Sequence, residues 1–186
     1  MDGTRRQKPE YRRLRIPGGR YFFTVNLVDR KSRLLTDRVA DLRHAVRRVR
    51  ALGPFRIDAW VVLPDHMHAV WTPPDGDDDF PRRWRAIKDL FSRRLDPLER
   101  VSASRVCQGE RGIWQRRYWE HAICDERDLA AHLDYVHFNP VKHGYVAHPA
   151  DWPYSTFRAC VARGLYTSDW IGLDDLGDNR GERAPG

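Results

Sequence analysis

The tightest constraint on the fold of this chain is a two-residue gap. Phe55–Leu63 and His66–Trp71 both read as strands, and only Pro64-Asp65 separates them. So short a connection joins neighbouring antiparallel strands; a parallel crossover needs about a dozen residues. Upstream, Tyr21–Val28 reads as a further strand, with Tyr21, Phe23, Val25 and Leu27 on one face and Phe22, Thr24, Asn26 and Val28 on the other. Both of its faces look largely covered. Between these strands, Val39, Leu42, Val46, Val49 and Leu52 recur at helical spacing, which predicts a helix over Asp37–Leu52 ended by Gly53-Pro54. A second amphipathic helix, Pro81–Leu95, follows the acidic loop 73–79, with Trp84, Ile87, Leu90, Phe91 and Leu95 on its apolar side and Pro97 closing it. Ile113–Ile123 is expected to form a fourth strand. Asp125, with Asp128 imitating a capping box, starts a third helix at Glu126 on the stripe Leu129, Leu133, Val136. Asn139-Pro140 is expected to stop it, because a residue before proline is pushed out of the helical region. The order β, α, β, β, α, β, α predicts an α+β, ferredoxin-like four-stranded antiparallel sheet with helices packed on one face.

The chain has 186 residues, the length of one domain. Residues 1–20 read as a basic arm, 21–145 as the folded core, 146–172 as a helical extension reaching about Arg163, and 173–186 as a loose tail. Net charge is +7 and unevenly placed: residues 1–60 hold 16 basic against 6 acidic side chains, whereas residues 121–186 hold 6 against 10. Arginine dominates the basic end, and its planar fork suits phosphate. Nucleic acid leads an anionic membrane surface as the partner, although charge alone leaves a merely high isoelectric point equally open. No apolar run approaches the roughly 20 residues that cross a bilayer, and the start lacks a secretory hydrophobic stretch, so the expected location is the cytoplasm without a membrane partner. Cys107, Cys124 and Cys160 fit neither a disulfide framework nor a Cys-x-x-Cys site and read as reduced packing residues.

His66-Met67-His68 is the sharpest chemical signal. Residues two apart on a strand point to the same face, so two imidazoles can converge on one ion while Asp65 and Met67 face the other way. The pair is weak by itself and needs a third ligand. On the third helix, Tyr135 and Asn139 are four apart and share a face, with His132 a turn earlier. By spacing alone, Tyr135 reads better as a packing residue and Asn139 as the helix stop before Pro140.

Leu63-Pro64-Asp65-His66-Met67-His68, Trp114-Gln115-Arg116 to Trp119-Glu120-His121, Tyr135-Val136-His137-Phe138-Asn139-Pro140-Val141-Lys142-His143-Gly144 and Trp152-Pro153-Tyr154-Ser155 occur in that order. From about Arg12 to Gly172 the chain resembles the HUH single-tyrosine transposases, and among them the REP-associated tyrosine transposases, which act on palindromic repeats. The resemblance implies that 21–145 is the catalytic domain, that His66, His68 and Asn139 bind a divalent ion, Mg²⁺ or Mn²⁺, and that Tyr135 is the nucleophile. Two imidazoles and an amide oxygen are nearer to what Mn²⁺ accepts than to what Mg²⁺ prefers. A phenol of ordinary pKa about 10 needs a base or a cation to become nucleophilic; His132 and His137 are candidates to relay its proton. The implied substrate is single-stranded DNA bearing a hairpin, the implied product a 5′-phosphotyrosine and a free 3′-OH, and the implied state a monomer in preference to a dimer, associated with the nucleoid. Arg12, Arg13, Arg15, Arg20, Lys88, Arg93, Arg94, Arg116, Arg117 and Lys142 are the candidate DNA contacts, with Trp114, Tyr118 and Trp119 as stacking surfaces for bases. The alternative is a repeat-hairpin-binding regulator that has lost cleavage.

Overall fold

The computed structural model describes residues 15–96, 107 and 111–172. Four strands, β1 (Tyr21–Asn26), β2 (Arg56–Val62), β3 (His66–Thr72) and β4 (Trp119–Ala122), form one antiparallel sheet in the order β2-β3-β1-β4. This is the ferredoxin-like arrangement, with the β2–β3 hairpin turning through Pro64-Asp65 as expected. Four of the helices are α1 (Leu34–Asp37), α2 (Val39–Leu52), α3 (Phe80–Arg93) and α4 (Glu126–Lys142); a short α5 (Phe157–Ala162) follows them.

The helices do not share one face. Alternation along β1 sends Tyr21, Phe23, Val25 and Leu27 into a core with Trp60, Met67, Ala69 and Trp71, closed by Leu42, Ala45 and Val49 of α2 and Trp84, Ile87 and Phe91 of α3. The opposite residues Phe22, Ala59, Val61, Leu63 and Val70 form a second core with Tyr135 and Val136 of α4. A sheet with apolar residues on both faces must be covered twice, and the third helix is the second cover. The helix expected over Asp37–Leu52 is α2, which begins at Val39 after the separate one-turn α1, and Leu52 in its last turn is 84% exposed rather than on the buried stripe. The acidic loop is structural. Asp79 caps α3, and Asp77 grips the buried guanidinium of Arg83 through both oxygens, at 2.9 and 2.5 Å. Arg83 also donates to the carbonyls of Gly53 and Pro54, which ties the end of α2 to the start of α3.

The expected strand over 113–123 is regular only from Trp119 to Ala122. Upstream it stays beside β1 through an isolated bridge, Leu27 to Trp114, and through Gln115 N–H donating to Asn26 C=O at 3.0 Å. At the other edge, 152–156 covers β2: Val62 N–H donates to Tyr154 C=O and Thr156 N–H to Trp60 C=O. This satisfies groups that a bare edge would leave open. Cysteines 107 and 124 are exposed, so the packing role holds for Cys160 alone. No helix among the described residues is long and apolar enough to cross a membrane.

The largest departure from the sequence reading is the end of α4, which runs through Asn139-Pro140 to Lys142. Proline removes one N–H from the ladder, but the last turn is rebuilt beyond it. Gly144, at φ +69°, donates to Val141 C=O at 2.9 Å, and Tyr145 N–H donates to Pro140 C=O at 2.9 Å. That pair of bonds with a left-handed glycine is the Schellman terminus, and Gly144 was its signal in the sequence. Behind α4 the C-terminal segment completes the packing: His137 is fully buried, its Nε2 lies 3.0 Å from Thr156 Oγ1, and its ring meets Phe157 and Tyr166.

Two outcomes follow. Gly144→Ala has room for its methyl group but must keep a left-handed backbone, and it is expected to lower unfolding free energy by about 1 kcal/mol in urea titration. His137 is held neutral, its pKa pushed down to about 4 by burial. The unfolded chain therefore takes up the proton first as pH falls, and stability drops between about pH 6.5 and 4. The loss is on the order of 3 kcal/mol; His137→Asn should remove that part of the slope in melts taken at pH 7 and pH 4.

Candidate active site

The register of β1 against β3 builds the floor of the site. Thr24 lies opposite His68 and Asn26 opposite His66, all on the α4 side of the sheet. Both imidazoles are buried, His68 completely and His66 to 2% exposure. Each is fixed through Nδ1. His68 Nδ1 is 2.9 Å from Thr24 Oγ1, and His66 Nδ1 is 2.8 Å from Asp65 Oδ1, whose other oxygen pairs with Arg30 Nε at 2.8 Å. Asp65 thus does not turn away: it sits in the turn before β3, where its carboxylate reaches back to its neighbour. With Nδ1 engaged, Nε2 is the remaining ring nitrogen, and in both residues it is buried without a hydrogen-bond partner among the described residues. Burial pushes the His68 pKa well below the ordinary value, with the positive field of His66, His143 and Lys142 adding to it, so the ring is a neutral nitrogen donor. Asp65 is held below the ordinary carboxylate range: burial opposes this, but the hydrogen bond from His66 and the charges of His66 and Arg30 outweigh it.

Helix α4 forms the roof. Tyr135, Asn139 and His143 are spaced by four and so lie along one side. The Tyr135 ring meets His68, centroids 5.1 Å apart, and the His143 ring meets His66 at 5.2 Å. Asn139, midway between Tyr135 and His143 along the helix, is fully buried, with neither its amide oxygen nor its nitrogen partnered among the described residues. The rings of His66 and His68 are themselves 5.0 Å apart. Because α4 continues past Pro140, Asn139 stays in register with Tyr135. Two imidazole nitrogens and an amide oxygen, buried and unsatisfied, form a donor set suited to a divalent cation, and buried polar groups without partners call for such an explanation.

The structure sorts the remaining expectations. Lys142, expected among the DNA contacts, is exposed, with its ammonium 5.3 Å from the Tyr135 ring centroid. Of the relay histidines, His137 lies at the back of α4 against Thr156, Phe157 and Tyr166, while His132 Nδ1 is bound to Asp128 and its ring stacks on His121 at 4.8 Å. Arg20 precedes β1, six residues or about 20 Å from the His66 end of the strand, and pairs with Glu126 at 2.8 Å. Arg15 is exposed near Asp78; Arg94 pairs with Asp41 and Arg93 with Asp89. Lys88 and Arg116 line a groove of about 610 Å³ between α3 and residues 111–118, on the sheet face opposite the histidines; Arg117 is exposed beside it. Arg12 and Arg13 lie outside the described residues. Trp114 is 8% exposed and Tyr118 packs against the first core, so of the three aromatics Trp119, at 38%, keeps an open face. Sequence reasoning missed Thr24, Asp65, Arg30 and His143. Only His143, four residues after Asn139, carried a spacing signal.

No family model matches the chain. A REP-associated tyrosine transposase of Escherichia coli K12 is 52% identical over 175 residues, covering 94% of this chain and 97% of that protein. A relative from Haemophilus influenzae, named for the same group, is 45% identical over 168 residues, 89% of this chain and 95% of its own. A solved structure of a REP-associated tyrosine transposase bound to a REP hairpin superposes with a TM-score of 0.80 at 49% identity, over 96% of this chain and all of that one. With relatives this similar along nearly their whole length, the chain belongs to the REP-associated tyrosine transposases.

Proposed function

We propose that the protein binds REP-type hairpin DNA in the cytoplasm, at the nucleoid, and cleaves and rejoins the adjoining single strand through Tyr135. The convergence of Tyr135 and Asn139 with His66 and His68 across the sheet–helix interface carries this reading. The relative solved on a REP hairpin supports the choice of substrate. His66 and His68 would hold a divalent cation through Nε2, and Asn139 through its amide oxygen. When bound, the ion supplies positive charge to the scissile phosphate and favours the phenolate. Tyr135 Oη attacks phosphorus and gives up its proton; the bond from phosphorus to O3′ breaks, the 3′-oxygen takes a proton, and the 5′-phosphate remains on tyrosine. Attack by a 3′-OH reverses these bonds. One ester replaces another, so rejoining needs no nucleotide cofactor. Lys142 beside the ring adds a positive charge that favours the phenolate. Thr24 and Asp65 aim the imidazoles, as outer partners of metal-binding histidines do.

Denaturing gels of labelled hairpin DNA with a single-stranded flank test the chemistry. Wild type with Mn²⁺ or Mg²⁺ should leave a covalent protein–DNA adduct that Tyr135→Phe abolishes, and His66→Ala should lose cleavage while retaining the hairpin in a mobility shift. An adduct in Tyr135→Phe overturns the nucleophile, and hairpin binding by wild type without any cut product supports a regulator instead. Thr24→Val and Asp65→Asn should each raise the Mn²⁺ concentration for half-maximal cleavage by about ten- to hundred-fold; an unchanged requirement would remove them from the account.

A further inference from the structure

A second group of metal-binding side chains lies outside the proposed active site, where β4 passes into α4. His121 is on β4, Cys124 in the turn and Asp128 in the first turn of the helix, and their ligand atoms all lie within 4.8 Å of one another. His121 Nε2 is 2.8 Å from Asp128 Oδ2, which also accepts from Cys124 N–H at 3.0 Å. Asp128 therefore does not close a capping box onto Asp125; its carboxylate is turned toward the strand. The carboxylate is already placed beside an imidazole and a thiol.

The donor chemistry differs from that of the His66 site. Nitrogen, sulfur and oxygen donors with a thiolate among them select zinc-like ions, whereas two imidazoles and an amide suit harder ones. Two ligands on a tetrahedral zinc ion sit about 3.3 Å apart, so the His121–Asp128 pair is near the required separation. Cys124 is exposed and its Sγ makes a weak 3.5 Å contact to Ala122 C=O, which leaves the thiol able to turn inward. We propose that His121, Cys124 and Asp128 form a zinc-type cation site, with its fourth position open to solvent. Binding exchanges the thiol proton for the ion and links β4 to the first turn of the helix that bears Tyr135. The ring row from His121 through His132 and Phe22 reaches Tyr135, with centroid separations of 4.8, 4.8 and 5.8 Å.

The untagged full chain titrated with Co²⁺ alone tests the site without DNA or activity. Wild type and His66→Ala should both develop ultraviolet absorption from thiolate-to-cobalt charge transfer, saturating at one ion per chain in His66→Ala, and Zn²⁺ should displace it. Cys124→Ser should abolish the band. His121→Ala should weaken binding by more than the roughly ten- to hundred-fold that loss of an outer-shell partner brings. Zn²⁺ should also raise the melting temperature of His66→Ala and leave that of Cys124→Ser unchanged. No band in wild type, a band persisting in Cys124→Ser, or one lost in Cys107→Ser overturns the proposal. Because the readout does not involve cleavage, failure here leaves the Tyr135 chemistry standing, and the reverse also holds.

Discussion

The register between β1 and β3 is the constraint on which the rest depends. It sets Thr24 against His68 and Asn26 against His66, and with the alternation of the pleat it commits both imidazoles to the face that α4 covers. A slip of one residue would send them into the Trp60–Trp71 core. That core resists such a slip: Phe23, Trp71 and Trp84 pack with centroid separations from 4.2 to 5.5 Å, and the two-residue turn fixes the partner strand. The histidines are then fixed at Nδ1 by short bonds, leaving both Nε2 atoms buried without a hydrogen-bond partner among the described residues. An arrangement that leaves polar atoms unsatisfied in a packed interior costs stability, and the proposed cation would satisfy them.

The helix meets this floor because it ignores its own proline. Had α4 ended before Asn139, the amide would have left the line that Tyr135 defines and His143 could not have reached His66. The Schellman bonds at Gly144 and Tyr145 stabilise the extra turn, and Tyr145 stacks on Trp152 at 5.2 Å. The segment after it returns along the outer edge of β2 and closes the back of the helix around His137. The C-terminal extension thereby holds the tyrosine-bearing helix from behind while the sheet holds it from the front.

Sequence carried most of the architecture because its signals were local. The two-residue turn fixed a hairpin, alternation placed His66 and His68 together, and spacing of four grouped Tyr135 with Asn139. Where it failed, the deciding forces were not local. Proline outweighed glycine in the reading of α4, although tertiary contacts favoured the later stop. The fourth strand was drawn too long because aromatic content does not show where a neighbour ends. Thr24 and Asp65 gave no signal, since their role comes from a cross-strand partner and a turn geometry. Charge counting also cannot show which of the candidate basic side chains lie near the histidines: Arg20, Arg93 and Arg94 pair with acids, and Lys88 and Arg116 sit across the sheet.

The most direct measurement of the central claim is anomalous diffraction at the manganese edge from crystals of the full chain grown with Mn²⁺. A single strong peak within bonding distance of His66 Nε2, His68 Nε2 and the Asn139 amide oxygen, with the Tyr135 hydroxyl facing it, is the predicted result. A peak elsewhere with these atoms still bare, or an Asn139 side chain turned away from the two rings, would contradict the account.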